Sequence, residues 1–121
     1  MYKVITYKDR NGNDEIAEYI KELSSKTPTN KDARIHYKKI MEYIGQLQAY
    51  GVVAGEPAIK HITGTELWEI RPLRDRIFFA YWKDDTFVLL HYFVKKTQKT
   101  PAREIERAER NLKDFIERYG E

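Results

Sequence analysis

Cysteine does not occur in this chain of 121 residues. Its absence excludes disulfide bonds, thiolate metal sites and cysteine nucleophiles, and it fits a reducing compartment. No apolar run approaches the roughly 20 residues that a membrane-spanning helix requires, and the N-terminal residues lack the apolar core of a signal peptide. We therefore expect a cytoplasmic protein without a membrane segment.

Several motifs of catalysis and cofactor binding are missing as well. The chain has no glycine-rich phosphate loop, no G-x-S-x-G and no H-E-x-x-H pattern. Its three histidines, His36, His61 and His91, are not spaced as metal ligands. The sequence therefore predicts neither a metal site nor a bound cofactor.

Positive charge is concentrated in one part of the chain. Residues 60–103 carry nine Lys/Arg and five Asp/Glu, a net charge of +4, whereas residues 104–121 carry four and six, a net charge of −2. A basic segment suits a polyanionic partner such as nucleic acid. A solvated surface without any partner can show the same asymmetry, so charge alone leaves both interpretations open.

The first half of the chain has the pattern of one strand and two helices. Residues 2–8 are rich in β-branched and aromatic side chains, which predicts a strand. Apolar residues at helical spacing follow, and residues 24–29, which contain a proline, are expected to break this first helix. A second helix can be capped by Asn30 and ended by Gly51. Residues 52–58 are then expected to form a loop.

The second half predicts a small sheet and a final helix. Short turns separate the strand-like segments, which favours an antiparallel meander, and Pro101 stands at the start of an amphipathic helix. The predicted strands cover residues 59–62, 66–71, 76–82 and 87–94. We therefore expect an α+β fold in one domain over residues 1–121. A helical hairpin and a C-terminal helix should pack on one face of a small, curved, mainly antiparallel sheet.

Strand alternation predicts that several cations share a surface. We assign the helix-covered core to the faces that carry Trp68, Ile70, Ile77 and Phe79. That assignment leaves Glu69, Arg71 and Arg76 on the open face. In the last strand, alternation gives one face to Phe87, Leu89, His91, Phe93 and Lys95. This strand leads into residues 95–103, which contain four Lys/Arg and no Asp/Glu.

Cations that converge from separate strands suit a phosphodiester. Arginine offers a planar fork for phosphate oxygens, and lysine offers a mobile point charge. When RNA is cut by its own 2′-hydroxyl, negative charge builds up on the phosphate oxygens, and fixed cations stabilise it. The same arginines could also be ordinary residues of an exposed surface, and most aromatic residues in this segment are expected to pack in the core.

Four motifs within residues 59–112 show a resemblance to known proteins. They are Leu67-Trp68-Glu69-Ile70-Arg71, Asp75-Arg76-Ile77-Phe78-Phe79, Leu89-Leu90-His91-Tyr92-Phe93 and Lys95-Lys96-Thr97-Gln98-Lys99-Thr100-Pro101. In this order they resemble the RelE/ParE superfamily of toxins, and most of all its HigB-type, phage-associated branch. The resemblance implies a RelE-like fold.

The resemblance also implies an activity and partners. The expected activity is that of a ribosome-dependent mRNA endonuclease that inhibits translation. Attack by the 2′-hydroxyl would leave a cyclic phosphate, without help from a metal. The expected partners are the ribosome with its mRNA and a HigA-type antitoxin with a helix-turn-helix domain. Operator DNA would be bound only through this antitoxin.

Individual residues match the family's motifs unevenly. Arg76 matches the arginine that grips phosphate, and Lys95 and Lys96 match a basic pair where relatives hold a catalytic cation. Arg71 stands where some relatives carry a lysine proposed as general base, although arginine stays protonated and accepts protons poorly. Ala102 stands near the position of a tyrosine that stacks on the substrate base in some relatives.

These considerations give a set of candidate site residues. The candidate catalytic residues are Arg71, Arg76, Lys95, Lys96 and Lys99. The candidate RNA-binding residues are Lys60, Arg74, Trp82 and Arg103. Lys60, Lys99, Glu69 and His91 are all candidates for proton transfer, and Glu69 and His91 rank lower because a structural role would explain either of them. Two other functions stay open: a ParE-like toxin directed at gyrase, and a nucleic-acid-binding module without catalysis.

Overall fold

A computed structural model describes residues 1–121 and contains five strands and three α-helices. The strands are β1 Lys3–Thr6, β2 Ile59–His61, β3 Trp68–Ile70, β4 Asp75–Tyr81 and β5 Thr86–Val94. The α-helices are α1 Glu15–Lys26, α2 Lys31–Tyr50 and α3 Ala102–Tyr119. The predicted α+β class, the helical hairpin and the C-terminal helix are confirmed. No helix is both long enough and apolar enough to cross a membrane.

The helical hairpin forms where its capping residues predict it. The side chain of Asp14 accepts a hydrogen bond from the Ala17 N–H, and that of Asn30 accepts one from the Ala33 N–H, each at 3.0 Å. The break between the helices is shorter than predicted, because α1 continues through Lys26. The predicted loop after α2 begins instead with a turn of 3₁₀-helix over Gly51–Ala54.

The sheet has the strand order β1-β5-β4-β3-β2. Strands β2 to β5 form the predicted antiparallel meander, with Ile70 opposite Ile77 and Arg76 opposite Phe93. β1 adds a parallel edge beside β5. Because β4 runs antiparallel to both β3 and β5, the end of β3, the start of β4 and the end of β5 lie at the same edge of the sheet.

Helices cover both faces of the sheet, which corrects the expectation that they cover only one. The hairpin packs on a core that includes Ile40, Ile70 and Phe79. α3 packs on the other face, over a second core that includes Leu67 and Phe78. The face predicted to be open is therefore largely buried, and Glu69 on that face is only 6% exposed.

A β-bulge explains why the predicted face of β5 is wrong. Phe78 lies opposite His91 while Phe79 lies opposite Leu89, so Leu90 is an extra residue in β5. Leu89 consequently belongs to the hairpin-side core, whereas Phe93 belongs to the α3-side core. Simple alternation had placed both residues on one face.

Candidate nucleic-acid interface

An open cleft of about 720 Å³ lies at the sheet edge where β3 ends and β4 begins. The residues that line it are Arg71, Leu73, Arg74, Arg76, Lys95, Lys96, Thr97 and Gln98. Five of these eight residues carry a positive charge, and none carries a negative one. The structure thus brings together four of the five predicted catalytic cations and one predicted RNA-binding residue.

The antiparallel meander explains why residues distant in sequence meet in this cleft. Arg71 directly follows β3, Arg76 is the second residue of β4, and Lys95 directly follows β5. Arg74 lies in the turn between β3 and β4, where the Asp75 N–H donates to the Pro72 carbonyl at 3.1 Å. The Lys95 N–H donates to the Arg74 carbonyl at 2.8 Å, and this hydrogen bond joins the residues after β5 to the β3–β4 turn.

Arg76 is the most firmly held cation of the cleft. Its Nη1 donates hydrogen bonds to the carbonyls of Leu73 at 2.6 Å and Asp75 at 2.7 Å. Burial lowers the pKa of its guanidinium, and the neighbouring Arg71 lowers it further, whereas Glu69 raises it. Arginine stays protonated at neutral pH despite such effects, so Arg76 is a fixed positive charge with a set orientation.

The other cations differ in how far acidic neighbours neutralise them. Arg71 lies 3.4 Å from the carboxylate of Glu69 and 3.7 Å from that of Glu56. Arg74 donates to the exposed Asp32 at 2.9 Å. Lys95 and Lys96 form no ion pair. The two lysines are therefore mobile charges beside a better-ordered group of arginines.

Two of the candidates for proton transfer lie behind the cleft rather than in its lining. Glu69 and His91 are both buried and flank Phe78 from the neighbouring strands. The Nε2 atom of His91 lies 3.0 Å from a carboxylate oxygen of Glu104 in the first turn of α3. Neither Glu69 nor His91 contacts the open volume of the cleft.

The remaining predicted residues lie outside the cleft lining. Lys99 and Arg103 are exposed, the first in the loop after β5 and the second in the first turn of α3. Lys60 is exposed on the edge strand β2, opposite Glu69. Trp82 follows the far end of β4, where its Nε1 donates to the Gly120 carbonyl at 2.7 Å and its ring meets Phe115 edge-on.

A buried polar network, which sequence reasoning missed, anchors the turn that carries the arginines. Asp75 is only 1% exposed and accepts a hydrogen bond from the Tyr19 hydroxyl at 2.6 Å. Its second carboxylate oxygen lies 3.1 Å from Nδ1 of His36. Burial and Asp75 raise the pKa of Tyr19. The hairpin thereby holds the β3–β4 turn, and no periodicity in the sequence marks these three residues as partners.

Thr97 and Gln98 are further lining residues that the cation pattern does not reveal. Both are exposed and uncharged in the loop after β5, and the Thr97 hydroxyl donates to the Lys99 carbonyl at 2.7 Å. The only signal for them is their place in a basic run. With them, the cleft offers fixed guanidinium donors, mobile ammonium groups and neutral polar side chains around one volume, a combination suited to a phosphodiester backbone.

Comparison with known proteins assigns most of the chain to one family. Residues 18–113 match the family described as phage derived protein Gp49-like (DUF891). The matched range includes every cleft residue as well as Tyr19, His36 and Asp75. Comparison with curated proteins gives no significant match.

Proposed function

The chain belongs to the Gp49-like family of phage-derived proteins, a RelE toxin-like family, and from this premise we propose that it is an RNA-cutting toxin. Its substrate would be mRNA on the ribosome, and its cleft would be the site of cleavage. The HigB-type branch, suggested by the motifs around Trp68, Arg76 and Lys96, is part of the proposal. A toxin of this kind requires an antitoxin, which we propose to be of HigA type.

The observation that carries the proposal is the convergence of five cations on one open cleft. Attack of a 2′-hydroxyl on the adjacent phosphate forms a new P–O2′ bond and breaks the P–O5′ bond. The products are a cyclic phosphate and a 5′-hydroxyl. Negative charge grows on the phosphate oxygens during this step, and preorganised donors stabilise it. Loss of one such donor costs on the order of 100-fold or more in rate.

The cleft residues suggest a division of labour. Arg76, held by two backbone carbonyls, would fix the phosphate through the remaining donors of its guanidinium. Lys95 and Lys96 have no acidic partners, so their ammonium groups would be free to move and stabilise the negative charge that develops on the leaving oxygen. Arg71 would add a second guanidinium but no base, because it does not give up its proton at neutral pH.

Growth arrest on induced expression tests the proposal. We expect Arg76→Ala and Lys96→Ala each to abolish growth arrest while the protein stays folded. Lys113→Ala is the matched control, because this exposed lysine lies on α3 outside the cleft and should leave toxicity intact. Full toxicity of a folded Arg76→Ala/Lys96→Ala double variant would refute the proposed site.

Mapping nucleic acid damage shortly after induction separates the competing functions. An RNase toxin leaves mRNA fragments with new 5′-hydroxyl ends, in the presence of ribosomes and more weakly on free RNA. A toxin directed at gyrase would leave intact mRNA and broken DNA. A binding module without catalysis would leave both intact while still binding RNA in a salt-dependent way.

A further inference from the structure

The buried polar side-chain atoms that lack a hydrogen-bond partner all belong to four neighbouring residues. They are Oε2 of Glu69, Nε of Arg71, Nε of Arg76 and Nδ1 of His91. Such atoms are rare in folded proteins, and each one calls for an explanation. Their concentration beside a single cleft, in a chain whose other buried side-chain polar atoms are paired, points to a functional rather than a random origin.

Glu69 is the least expected member of this group. It sits in the middle of β3, between Lys60 of β2 and Phe78 of β4, and its face is covered by the α3-side core. Its Oε1 lies 3.4 Å from Nε of Arg71, and its buried Oε2 has no hydrogen-bond partner. Burying a carboxylate in this way opposes folding. Leu67, two residues earlier, is apolar and fully buried in the same core.

The surroundings of Glu69 show which groups its charge acts on. The Nε–H groups of Arg71 and Arg76 are also without acceptors. The two guanidiniums repel each other, and the buried carboxylate of Glu69 acts on both of them. It contacts Arg71, and it raises the pKa of Arg76, which Arg71 lowers. If the cleft served only to attract phosphate, a neutral residue at position 69 would suit it better than glutamate, because a carboxylate repels the substrate.

We propose that Glu69 is a positioning residue. Its buried carboxylate orients the Arg71 guanidinium directly and, together with the Leu73 and Asp75 carbonyls, helps to orient that of Arg76 for the phosphate that is cut. This inference rests on the proposed function of the cleft. Glu69 does not reach the open volume, so it acts through the arginines and not by taking a proton from the substrate. The negative charge of Glu69 weakens the attraction between the cleft and RNA, but it aligns the two guanidiniums.

Replacing Glu69 should therefore separate binding from cleavage. In Glu69→Gln the volume is kept and the charge is lost, so a fully 2′-O-methylated single-stranded RNA, which cannot be cut, should bind at least as tightly as to the wild type. The rate of cleavage of ribosome-bound mRNA at saturating protein should fall about tenfold or more, since small misplacement of catalytic groups can cost up to about 100-fold. Glu66→Gln is the control, because it removes the same charge from an exposed residue just before β3.

Nitrogen-15 spectra of the arginine Nε–H groups test the geometry without any reference to activity. The signals of Arg71 and Arg76, identified with Arg→Lys variants, should shift or broaden in Glu69→Gln and stay in place in Glu66→Gln. Unchanged signals would overturn the inference. If the wild type cut no mRNA on ribosomes, the proposed function would fail, and these spectra would still decide on the role of Glu69.

Two kinetic results would also overturn the inference. One is a Glu69→Gln rate within about threefold of the wild type, and the other is a tenfold or greater loss of RNA binding, which would make Glu69 a binding or purely structural residue. Should Glu69→Gln fold poorly, Glu69→Asp keeps the charge on a shorter side chain. Its rate should lie between those of the wild type and the Gln variant, and a wild-type rate would contradict a positioning role.

Discussion

At the scale of single residues, the buried carboxylate of Asp75 is the most consequential polar group outside the cleft. Asp75 is the first residue of β4, between Arg74 and Arg76, and its carboxylate receives one hydrogen bond from Tyr19 and a contact from His36. A buried charge is tolerated only where such partners replace water. The network therefore ties the orientation of the cationic turn to the packing of the helical hairpin.

Tyr19→Phe tests this network. The variant keeps the stacking of residue 19 on Tyr92, whose ring lies 4.3 Å away, but it leaves one oxygen of Asp75 without a donor. An unsatisfied buried acceptor costs about 1–3 kcal/mol, so the free energy of unfolding in urea should fall by that amount. Tyr43→Phe is the control, because Tyr43 packs on the same core and its hydroxyl makes no hydrogen bond. Equal losses for both variants would contradict the network.

At the scale of secondary-structure elements, the end of α2 depends on a glycine. Gly51 has a φ of +64°, and a Cβ atom built there would lie 2.9 Å from the ring of Tyr2. Gly45, in the interior of the same helix, has no atom within 4 Å of such a Cβ. The glycine that follows α2 and the glycine inside it therefore have opposite roles: Gly51 is required by the backbone and by packing, whereas Gly45 only weakens the helix.

Alanine at these two positions should have opposite effects on stability. Gly51→Ala forces a side chain into a backbone conformation, φ +64° and ψ −155°, that is essentially restricted to glycine and costs about 1–3 kcal/mol before the contact with Tyr2 is counted. Gly45→Ala removes the entropic cost of glycine in a helix and should stabilise the protein by roughly 0.5–1 kcal/mol. Thermal unfolding monitored by circular dichroism measures both. A stabilising Gly51→Ala would show that α2 ends differently.

The attachment of α3 to the N-terminal segment depends on one carboxylate. Asp114 accepts hydrogen bonds from the Tyr7 hydroxyl at 2.6 Å, from Arg10 Nε at 2.6 Å and from Arg118 Nη2 at 2.7 Å. The hydrogen bonds from Tyr7, Arg118 and Arg10 lower the pKa of Asp114 to about 2. α3 is thus held to the rest of the chain by a polar contact as well as by its apolar face.

The lowered pKa gives this contact a defined pH dependence. A depressed carboxyl pKa stabilises the folded state above the ordinary value of about 4, and this stabilisation is lost as the pH falls through the folded value. Asp114→Asn should therefore melt a few degrees below the wild type at pH 7. The difference should shrink between about pH 4 and pH 2. Glu117→Gln, which alters an exposed neighbour of Arg10, should show little difference at either pH.

At the scale of the whole molecule, charge is divided between the two ends of the sheet. The cationic cleft lies where β4 begins. At the opposite end, the groove beside the C-terminal half of α3 is lined by Glu66, Glu109, Glu117 and Glu121, together with a single lysine, Lys113. A polyanion should consequently approach the protein in one orientation.

The salt dependence of the proposed RNA binding measures this polarity. Each neutralised phosphate of a single strand adds about 0.7 to the slope of log K against log salt. The Lys95→Gln/Lys96→Gln variant should therefore show a slope smaller by about 1.4, given two phosphate contacts. Lys83→Gln/Lys113→Gln removes the same charge at the other end and should leave the slope unchanged. Equal slopes for wild type and the Lys95/Lys96 variant would place RNA outside the cleft.

Much of this molecule follows from local features of its sequence. Three helix boundaries were predicted to within a residue or so, from the capping side chain of Asn30, from Gly51 after α2 and from Pro101 before α3. Such predictions succeed because capping and backbone conformation act over a few residues. Short turns between strands predicted the antiparallel meander. The meander in turn predicted that residues after β3 and β5 would meet those at the start of β4.

The burial of both sheet faces was decided by tertiary structure alone. A strand's alternation says which residues share a face, but only the docking of α3 determined that the face of Glu69 is covered. The extra residue Leu90 forms a β-bulge, so the residues after it point to the opposite faces from those that simple alternation predicts. A period-2 pattern cannot predict such an insertion. Glu69 and His91 are buried and therefore do not line the cleft. Trp82 lies far from the cleft because it follows the opposite end of β4.

The sequence by itself therefore determined the order of the elements and the concentration of cations around the ends of three strands. Tertiary structure alone decided which cations share a cleft, that Asp75 is held by Tyr19 and His36, and that Glu69 lies buried beside two guanidiniums. The physical reason is range: capping, turns and periodicity act between near neighbours in the chain, whereas burial and electrostatic pairing depend on residues that only folding brings together.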